Sequence, residues 1–203
     1  MLLNADECQV ALIDYQTKLL PAIADGAAVL AAAQRLARMA ALVGVPVWAT
    51  EQCPDKLGAT DDALAPLATR IVPKTAFSAA DVLEPLLAPA PAETPAPKGN
   101  ARSLPKHLRK APPVPQPERG CIVIAGCETH VCLLQTALEL LDSGWDVCVV
   151  QDACGSRDVR QRDAAFDRMA AAGCELVTVE MAGFEWLRTS AHPQFRTLQG
   201  IVK

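Results

Sequence analysis

Short apolar runs and longer mixed stretches alternate along the chain. Residues Cys8–Ile13 (CQVALI), 45–49 (VPVWA), 70–72, 121–125 (CIVIA), 147–150 (VCVV) and 175–179 are brief and β-branched. Several are apolar throughout, the pattern of strands covered on both faces. Between them lie stretches with helical spacing. Residues 25–43 are rich in alanine and leucine and stop at Gly44. Residues 131–143 carry Val131, Leu134, Leu138 and Leu141 on one stripe and stop at Gly144, and residues 160–172 stop at Gly173. A glycine just past the last periodic residue predicts a left-handed C-cap. Strand and helix in alternation predict right-handed βαβ crossovers, and hence an α/β fold: a three-layer αβα sandwich around a mainly parallel sheet of about six strands.

One segment breaks this rhythm. Residues 88–119 hold nine of the sixteen prolines, with Lys98, Arg102, Lys106, Arg109, Lys110 and Arg119 and little apolar content. Proline at that density forbids a central strand or a long helix, so the segment reads as a loop inserted into one domain spanning residues 1–203. As a solvated connector it needs no role; a lid or an oligomer arm is the functional alternative.

Composition narrows the class. Half of the residues are apolar and the formal charge is −4, which offers nucleic acid no electrostatic footprint. No apolar run reaches the roughly 18 to 20 residues of a membrane span. The first residues, Met1 to Glu7, lack a cationic segment followed by an apolar one, so the expected address is cytoplasmic, without a secretory signal. The eight cysteines form no CxxC pair, and His107, His130 and His192 are far apart. Neither a disulfide framework nor a zinc site is expected, and most thiols should be small buried hydrophobes.

Open parallel sheets bind ligands beyond the carboxyl ends of their strands. There this sequence places Asp14, then Thr50-Glu51-Gln52-Cys53, then Lys74, the run from Gly126 to Cys132, and finally Asp152-Ala153-Cys154. A carboxylate, an ammonium and a thiol thus converge on one edge. Cys132 stands apart from the other thiols because it falls in the first turn of a predicted helix, where free N–H groups and the positive dipole end favour an anion. Its pKa is expected below the free value of about 8.5. The same N–H groups suit an oxyanion, and Asp14 suits the role of proton acceptor. The structural alternatives are a turn or cap residue for Asp14, a solvated lysine for Lys74 and a structural histidine for His130. Cys121 and Cys148 lie inside strands, and Cys8 and Cys174 at strand starts, on the wrong edge. Whether His130, Cys127 or Cys154 joins the pocket stays open.

The string from Gly126 to Leu141 (GCETHVCLLQTALELL) closely resembles the nucleophile segment of the isochorismatase-like cysteine hydrolases. Leu12-Ile-Asp14-Tyr-Gln16, Thr50-Glu-Gln52 with Leu57-Gly58, Pro73-Lys74-Thr-Ala-Phe-Ser78 and Gln151-Asp-Ala-Cys-Gly-Ser-Arg157 are similar to further family motifs, in the same order. The likeness covers nearly everything outside 88–119. It implies a catalytic triad of Asp14, Lys74 and Cys132. It also implies an oxyanion hole from the main-chain N–H groups of Glu128 and Cys132, with a cis peptide bond between Cys127 and Glu128. The implied activity is hydrolysis of a small-molecule amide, ureide or related C–N bond through a thioester, by a homo-oligomer of two or more copies. Pocket walls are expected from loops around Tyr15, Gln52, Phe77 and Leu133. Nicotinamidase-type members hold a metal through an aspartate and paired histidines after the second strand. The corresponding stretch here, Glu51-Gln-Cys-Pro-Asp-Lys56, has no histidine, so neither metal nor other cofactor is expected.

Rival readings are weaker. A catalytically silent interaction protein on the same fold conflicts with retention of all three triad positions. A cysteine phosphatase would use the Cys-x5-Arg spacing of Cys154 and Arg160, yet Asp158 would repel the phosphate within that loop. A dehalogenase-type phosphatase needs an aspartate where Gln16 stands, and no GxGxxG follows the first strand to bind a dinucleotide.

Overall fold

A computed structural model of the chain describes residues 2–87 and 119–203. The six strands are β1 (Cys8–Ile13), β2 (Val47–Gln52), β3 (Arg70–Lys74), β4 (Cys121–Gly126), β5 (Asp146–Val150) and β6 (Glu175–Val177). They form one sheet in the order β3-β2-β1-β4-β5-β6, and every pairing is parallel. The chain therefore starts at the centre, winds outward through β2 and β3, and crosses to the other half at β4. That reversal opens a crevice between β1 and β4, where the fold places ligands.

Helices cover both faces, as the alternation predicts. Helix α1 (Gly26–Leu42) packs with α6 (Val179–Leu187) and α7 (Phe195–Val202) on one face. Helices α3 (Ala80–Leu87), α4 (Leu134–Asp142) and α5 (Val159–Ala172) pack together on the other, and the single-turn α2 (Pro54–Leu57) follows β2. Strands β1 and β4 are buried at every residue, which explains their unbroken apolar runs. The edge strand β3 tolerates Pro73 because one side of it has no ladder to donate to. Among the described residues no helix is long and apolar enough to cross a membrane. All eight cysteines are free thiols, and seven of them are buried.

Several element bounds differ from expectation. The second strand runs to Gln52, past the expected end at residue 49, because Thr50, Glu51 and Gln52 keep pairing with Ile13, Pro73 and Lys74. The third strand likewise reaches Lys74. The last stops at Val177, since the Thr178 side chain accepts from Met181 N–H and starts α6 instead. The expected helix over residues 131–143 opens with a π turn, Thr129–Leu133, before α4 begins. Helices α3, α6 and α7 went unread in the sequence.

The proline-rich insertion expected at 88–119 lies outside the described residues except for Arg119. Its two described flanks meet at one side chain. Gln9 Nε2 donates to the carbonyls of Leu87 (3.0 Å) and Arg119 (3.1 Å), while Arg119 Nη1 donates to the carbonyls of Ala5 and Cys8. Both flanks thus sit at the amino end of β1, the edge away from Asp14.

Gly126 closes β4 where it must lie flush against β1. A Cβ there would come within 2.5 Å of Ile13 Cβ and 2.6 Å of its carbonyl oxygen. Gly126→Ala should therefore cost about 1–3 kcal/mol through overpacking, read as a lower urea midpoint with an unchanged slope. An unaltered midpoint would show that the two central strands separate freely at this point.

Candidate active site

Asp14 follows the last residue of β1 and sits at φ 56°, in the left-handed region. For a non-glycine residue this costs on the order of 1–2 kcal/mol. The main chain is held by its N–H bond to the Thr50 carbonyl (3.2 Å). Its carboxylate is fully buried. Thr50 Oγ1 donates to Oδ1 at 2.7 Å, and Oδ2 lies 2.7 Å from Lys74 Nζ. Lys74 ends β3 in register with Gln52, so its stem crosses β2 to reach β1. Its ammonium donates to Gln52 Oε1 (2.7 Å) and to the carbonyls of Phe77 (2.9 Å) and Ala76 (3.3 Å). Both charged side chains are at most 1% exposed. Such an ion pair is tolerable in the interior only when bonds surround it; Thr50, Gln52 and the two carbonyls supply them here, while Asp14 Oδ2 has the ion pair alone.

Gln52 is the hub that fixes the ammonium. Besides accepting from Lys74, it donates through Nε2 to the Thr75 carbonyl (2.8 Å) and to Cys53 Sγ (3.3 Å). Its main chain is clamped by Gln16, which accepts from Gln52 N–H (2.8 Å) and donates to the Gln52 carbonyl (3.1 Å). Glu51, in the stretch compared with a metal-binding loop, instead accepts from the N–H and hydroxyl of Thr60.

Cys132 lies in the π turn after β4. Asp14 and Lys74 are close enough to perturb its thiol by hydrogen bonding as well as by charge. The three side chains that the sequence placed on one edge therefore do meet. The thiol's acidity runs against expectation. Burial, reinforced by the Asp14 carboxylate and only partly opposed by Lys74, pushes the pKa up to about 12. The resting group is the thiol, because burial disfavours the anion and the Asp14 carboxylate beside it adds to that.

Cys132 opens on a cavity of about 340 Å³. Leu19, Leu57, Phe77 and Val131 supply apolar walls, and Gln52, Glu128 and Arg157 supply the polar part. Two expected pocket residues are thus present, Gln52 and Phe77, and two are not. The Tyr15 side chain is buried in the core with its hydroxyl donating to the Ala153 carbonyl, and Leu133 is fully buried one residue past Cys132. Sequence reasoning gave Thr50 and Gln16 no role of their own, although both lie inside the quoted motifs. It also missed the Glu128–Arg157 pair; nothing in the spacing signals that residues 29 apart will meet.

The open candidates resolve as follows. Cys127 is fully buried, and its peptide bond to Glu128 is cis. His130 Nδ1 lies 3.0 Å from Ser156 Oγ and does not line the cavity. Cys154 is buried, its Sγ–H donates to the Val150 carbonyl (3.0 Å), and burial pushes its pKa up to about 12. Arg160 is exposed on α5, where the Asp158 carboxylate caps the helix. The phosphatase reading therefore has no cradle.

Two outcomes follow from this geometry. In Lys74→Met the Asp14 carboxylate would be left buried without its partner, at a cost of about 3–5 kcal/mol in urea unfolding at pH 7. A loss below 1 kcal/mol would mean that water reaches the carboxylate. The second concerns alkali. Cys132, Cys154 (about 12) and Cys174 (about 11) hold their protons more tightly folded than at the ordinary thiol value of 9.0. Their share of the stability is intact below about pH 9 and lost as pH rises toward 12. Urea midpoints should fall over that window, and a flat profile would contradict the burial of these thiols.

The isochorismatase-domain family model matches residues 8–181. Isochorismatase domain-containing protein 2A of mouse is 34% identical over 192 residues, which cover 95% of this chain and 81% of the mouse protein. Isochorismatase domain-containing protein 1 of Danio rerio is 34% identical over 191 residues, covering 94% of this chain and 59% of that longer one. Among solved structures, a Caenorhabditis elegans protein called MAR1 ribonuclease superposes with a TM-score of 0.78 at 27% identity, over 98% of this chain and 91% of the other. The Escherichia coli YcaC gene product, described as an octameric hydrolase of unknown specificity, does so with a TM-score of 0.74 at 23% identity, over 98% and 94%, a likeness of fold. Matched along most of its length by both model and relatives, the chain belongs to the isochorismatase family.

Proposed function

We propose that the protein is a cysteine hydrolase that cleaves a small amide or ureide C–N bond through a thioester on Cys132. The observation that carries this reading is the buried Asp14–Lys74 ion pair set against the Cys132 thiol at the floor of a small cavity. Packing alone gives no reason to bury two charges beside a thiol, since well-packed apolar residues would be at least as stable there.

The chemistry starts from a protonated sulfur. With the pKa at about 12, forming a free thiolate at pH 7 would cost roughly 7 kcal/mol, at about 1.36 kcal/mol per unit. Transfer of the S–H proton to Asp14 as sulfur attacks the carbonyl carbon avoids that species. The main-chain N–H groups of Glu128 and Cys132, at either end of the turn that carries the thiol, hold the oxyanion. Collapse of the tetrahedral adduct breaks the C–N bond, and Asp14 returns its proton to the leaving nitrogen. Water then attacks the thioester, Asp14 takes one of its protons, and the acid product departs as the thiol re-forms. Lys74, paired with Asp14 at 2.7 Å, holds the carboxylate beside the sulfur through each half-reaction. Thr50 occupies Oδ1, so the proton goes to Oδ2, whose one partner among the described residues is the Lys74 ammonium.

The cavity volume limits the substrate to a small molecule. The ribonuclease name of the C. elegans neighbour is not carried over, because a chain of net charge −4 offers a phosphate backbone little attraction. Assembly of two or more copies belongs to the same proposal and has the octameric E. coli neighbour in its favour.

A panel of small amides, ureides and carbamates assayed for ammonia release tests the reading. At least one compound should be turned over, and Cys132→Ala and Asp14→Asn should each lower kcat/KM at least a thousandfold. Turnover that survives Cys132→Ala would remove the thioester from the mechanism.

A further inference from the structure

The edge of the sheet away from Asp14, at the amino ends of the strands, carries a second group of thiols. Cys8 opens β1, Cys121 opens β4, Cys148 lies in β5 and Cys174 immediately precedes β6. Parallel pairing sets Cys8 beside Cys121. It sets Cys121 diagonally from Cys148, since Cys121 pairs with Asp146 and Val123 with Cys148. Residues two apart along a strand share a face, so both side chains of the diagonal project the same way, and their sulfurs come within 3.9 Å. The pair lines a cavity of about 270 Å³, whose walls include Leu2, Leu3, Glu7 and Asp146 but no lysine, arginine or histidine.

Tight packing does not account for this arrangement. A diagonal that only filled space would carry larger apolar side chains in close contact, whereas these two small thiols stand at the edge of a void. A disulfide does not account for it either. Strands about 4.8 Å apart, with two residues rising about 6.6 Å, put the Cα atoms of a diagonal pair about 8 Å apart. That exceeds the roughly 7 Å that a direct S–S bond tolerates. What fits between the sulfurs is an atom bonded to both. Metal–thiolate bonds are about 2.3 Å, and two of them meeting at one ion span up to about 4.6 Å, slightly more than the present gap.

We propose that Cys121 and Cys148 form a binding site for copper(I), on the edge of the sheet opposite the Cys132 cavity. The inference stands apart from the hydrolase reading. The ligands select the ion: sulfur donors suit copper(I) or zinc. Zinc takes four ligands, and among the described residues no three His, Cys, Asp or Glu side chains are grouped to hold a metal. Copper(I) is held by two thiolates. As it binds, each thiol gives its proton to water and each sulfur forms one bond to the ion; no electron is transferred. The Glu7 and Asp146 carboxylates at the cavity favour entry of a cation. The bound pair carries one negative charge, and Arg119, bonded to the Ala5 and Cys8 carbonyls on the same edge, stands to offset it.

The test titrates copper(I) anaerobically into the reduced full chain against bicinchoninate, a competing copper(I) chelator. Cys53→Ser/Cys132→Ser serves as background, removing the half-buried thiol and the one in the other cavity. One ion per chain should be retained. Cys121→Ala and Cys148→Ala, each added to that background, should lower the affinity at least a hundredfold, beyond the roughly 10–100-fold that loss of an outer hydrogen-bond partner costs. Cys174→Ala should leave it unchanged. Urea midpoints separate a folding defect from a lost ligand. X-ray absorption at the copper edge, on the background protein with both thiols in place, reads the coordination directly and should show sulfur neighbours. No ion retained, retention that survives loss of either thiol, an equal loss in Cys174→Ala, or oxygen and nitrogen neighbours overturns the proposal.

Discussion

An ammonium and a carboxylate 2.7 Å apart, both withdrawn from water, set the terms for the rest of this site. Taking either ion alone out of water costs several kcal/mol, and their attraction offsets it only when geometry is good and no lone pair is left over. The surrounding structure meets that demand at every atom of the pair except Asp14 Oδ2, which has the ion pair alone. Thr50 engages Oδ1, Gln52 and two main-chain carbonyls engage Nζ, and Gln16 clamps Gln52 from both sides. Each of these partners exists only because three strands end in register. Ile13 lies beside Thr50 and Gln52 beside Lys74, so the parallel sheet acts as the jig that makes the pair affordable.

The same pair decides how the thiol can react. An isolated lysine beside Cys132 would pull its proton off, and the helix start would help. Here the lysine charge is already matched by Asp14, so its effect on the sulfur is largely cancelled, and burial controls the acidity. A thiol at the start of a helix is therefore poor evidence for a resting thiolate unless the local charge balance is known. In the proposed mechanism the compensation is that Asp14 stands within reach as proton acceptor, so that proton and sulfur move together. A protonated resting sulfur is also less open to chance oxidation, since the thiolate is the reactive form.

The sequence makes one half of this legible. Asp14, Lys74 and Cys132 can be placed on one edge because strand ends in a parallel sheet share a side, and the apolar runs of β1 and β4 mark two of those ends clearly. The polar tail of β2 is not legible by pattern. Thr50, Glu51 and Gln52 resemble a loop, yet they stay in the ladder because their side chains are spent on Asp14, Thr60 and Lys74. The π turn is hidden for a related reason. Residues 131–143 show a sound helical stripe, and what reshapes its start is contact beyond the helix, such as Thr129 N–H bonding to the Gly155 carbonyl (2.9 Å). Tyr15 and Leu133 adjoin Asp14 and Cys132 in sequence, but adjacency in sequence does not fix the direction of a side chain. One residue past a left-handed Asp14, Tyr15 is turned into the core.

The strand order also explains why a lysine serves at position 74. Its strand is separated from β1 by the whole of β2, a gap of roughly 9–10 Å at 4.7–4.9 Å per strand spacing. A long, unbranched stem can lie over Gln52 and deliver a compact charge with three rotatable donors. Those donors point to a carboxylate, an amide and main-chain carbonyls in different directions. A planar guanidinium could not satisfy that divergent set from the same place. At position 157 the demands are reversed: the Glu128 carboxylate lies in one plane, and a guanidinium fork bonds both of its oxygens through Nε and Nη2. The choice of cation at each position thus follows from the geometry of its acceptors, one buried and divergent, the other planar and half in water.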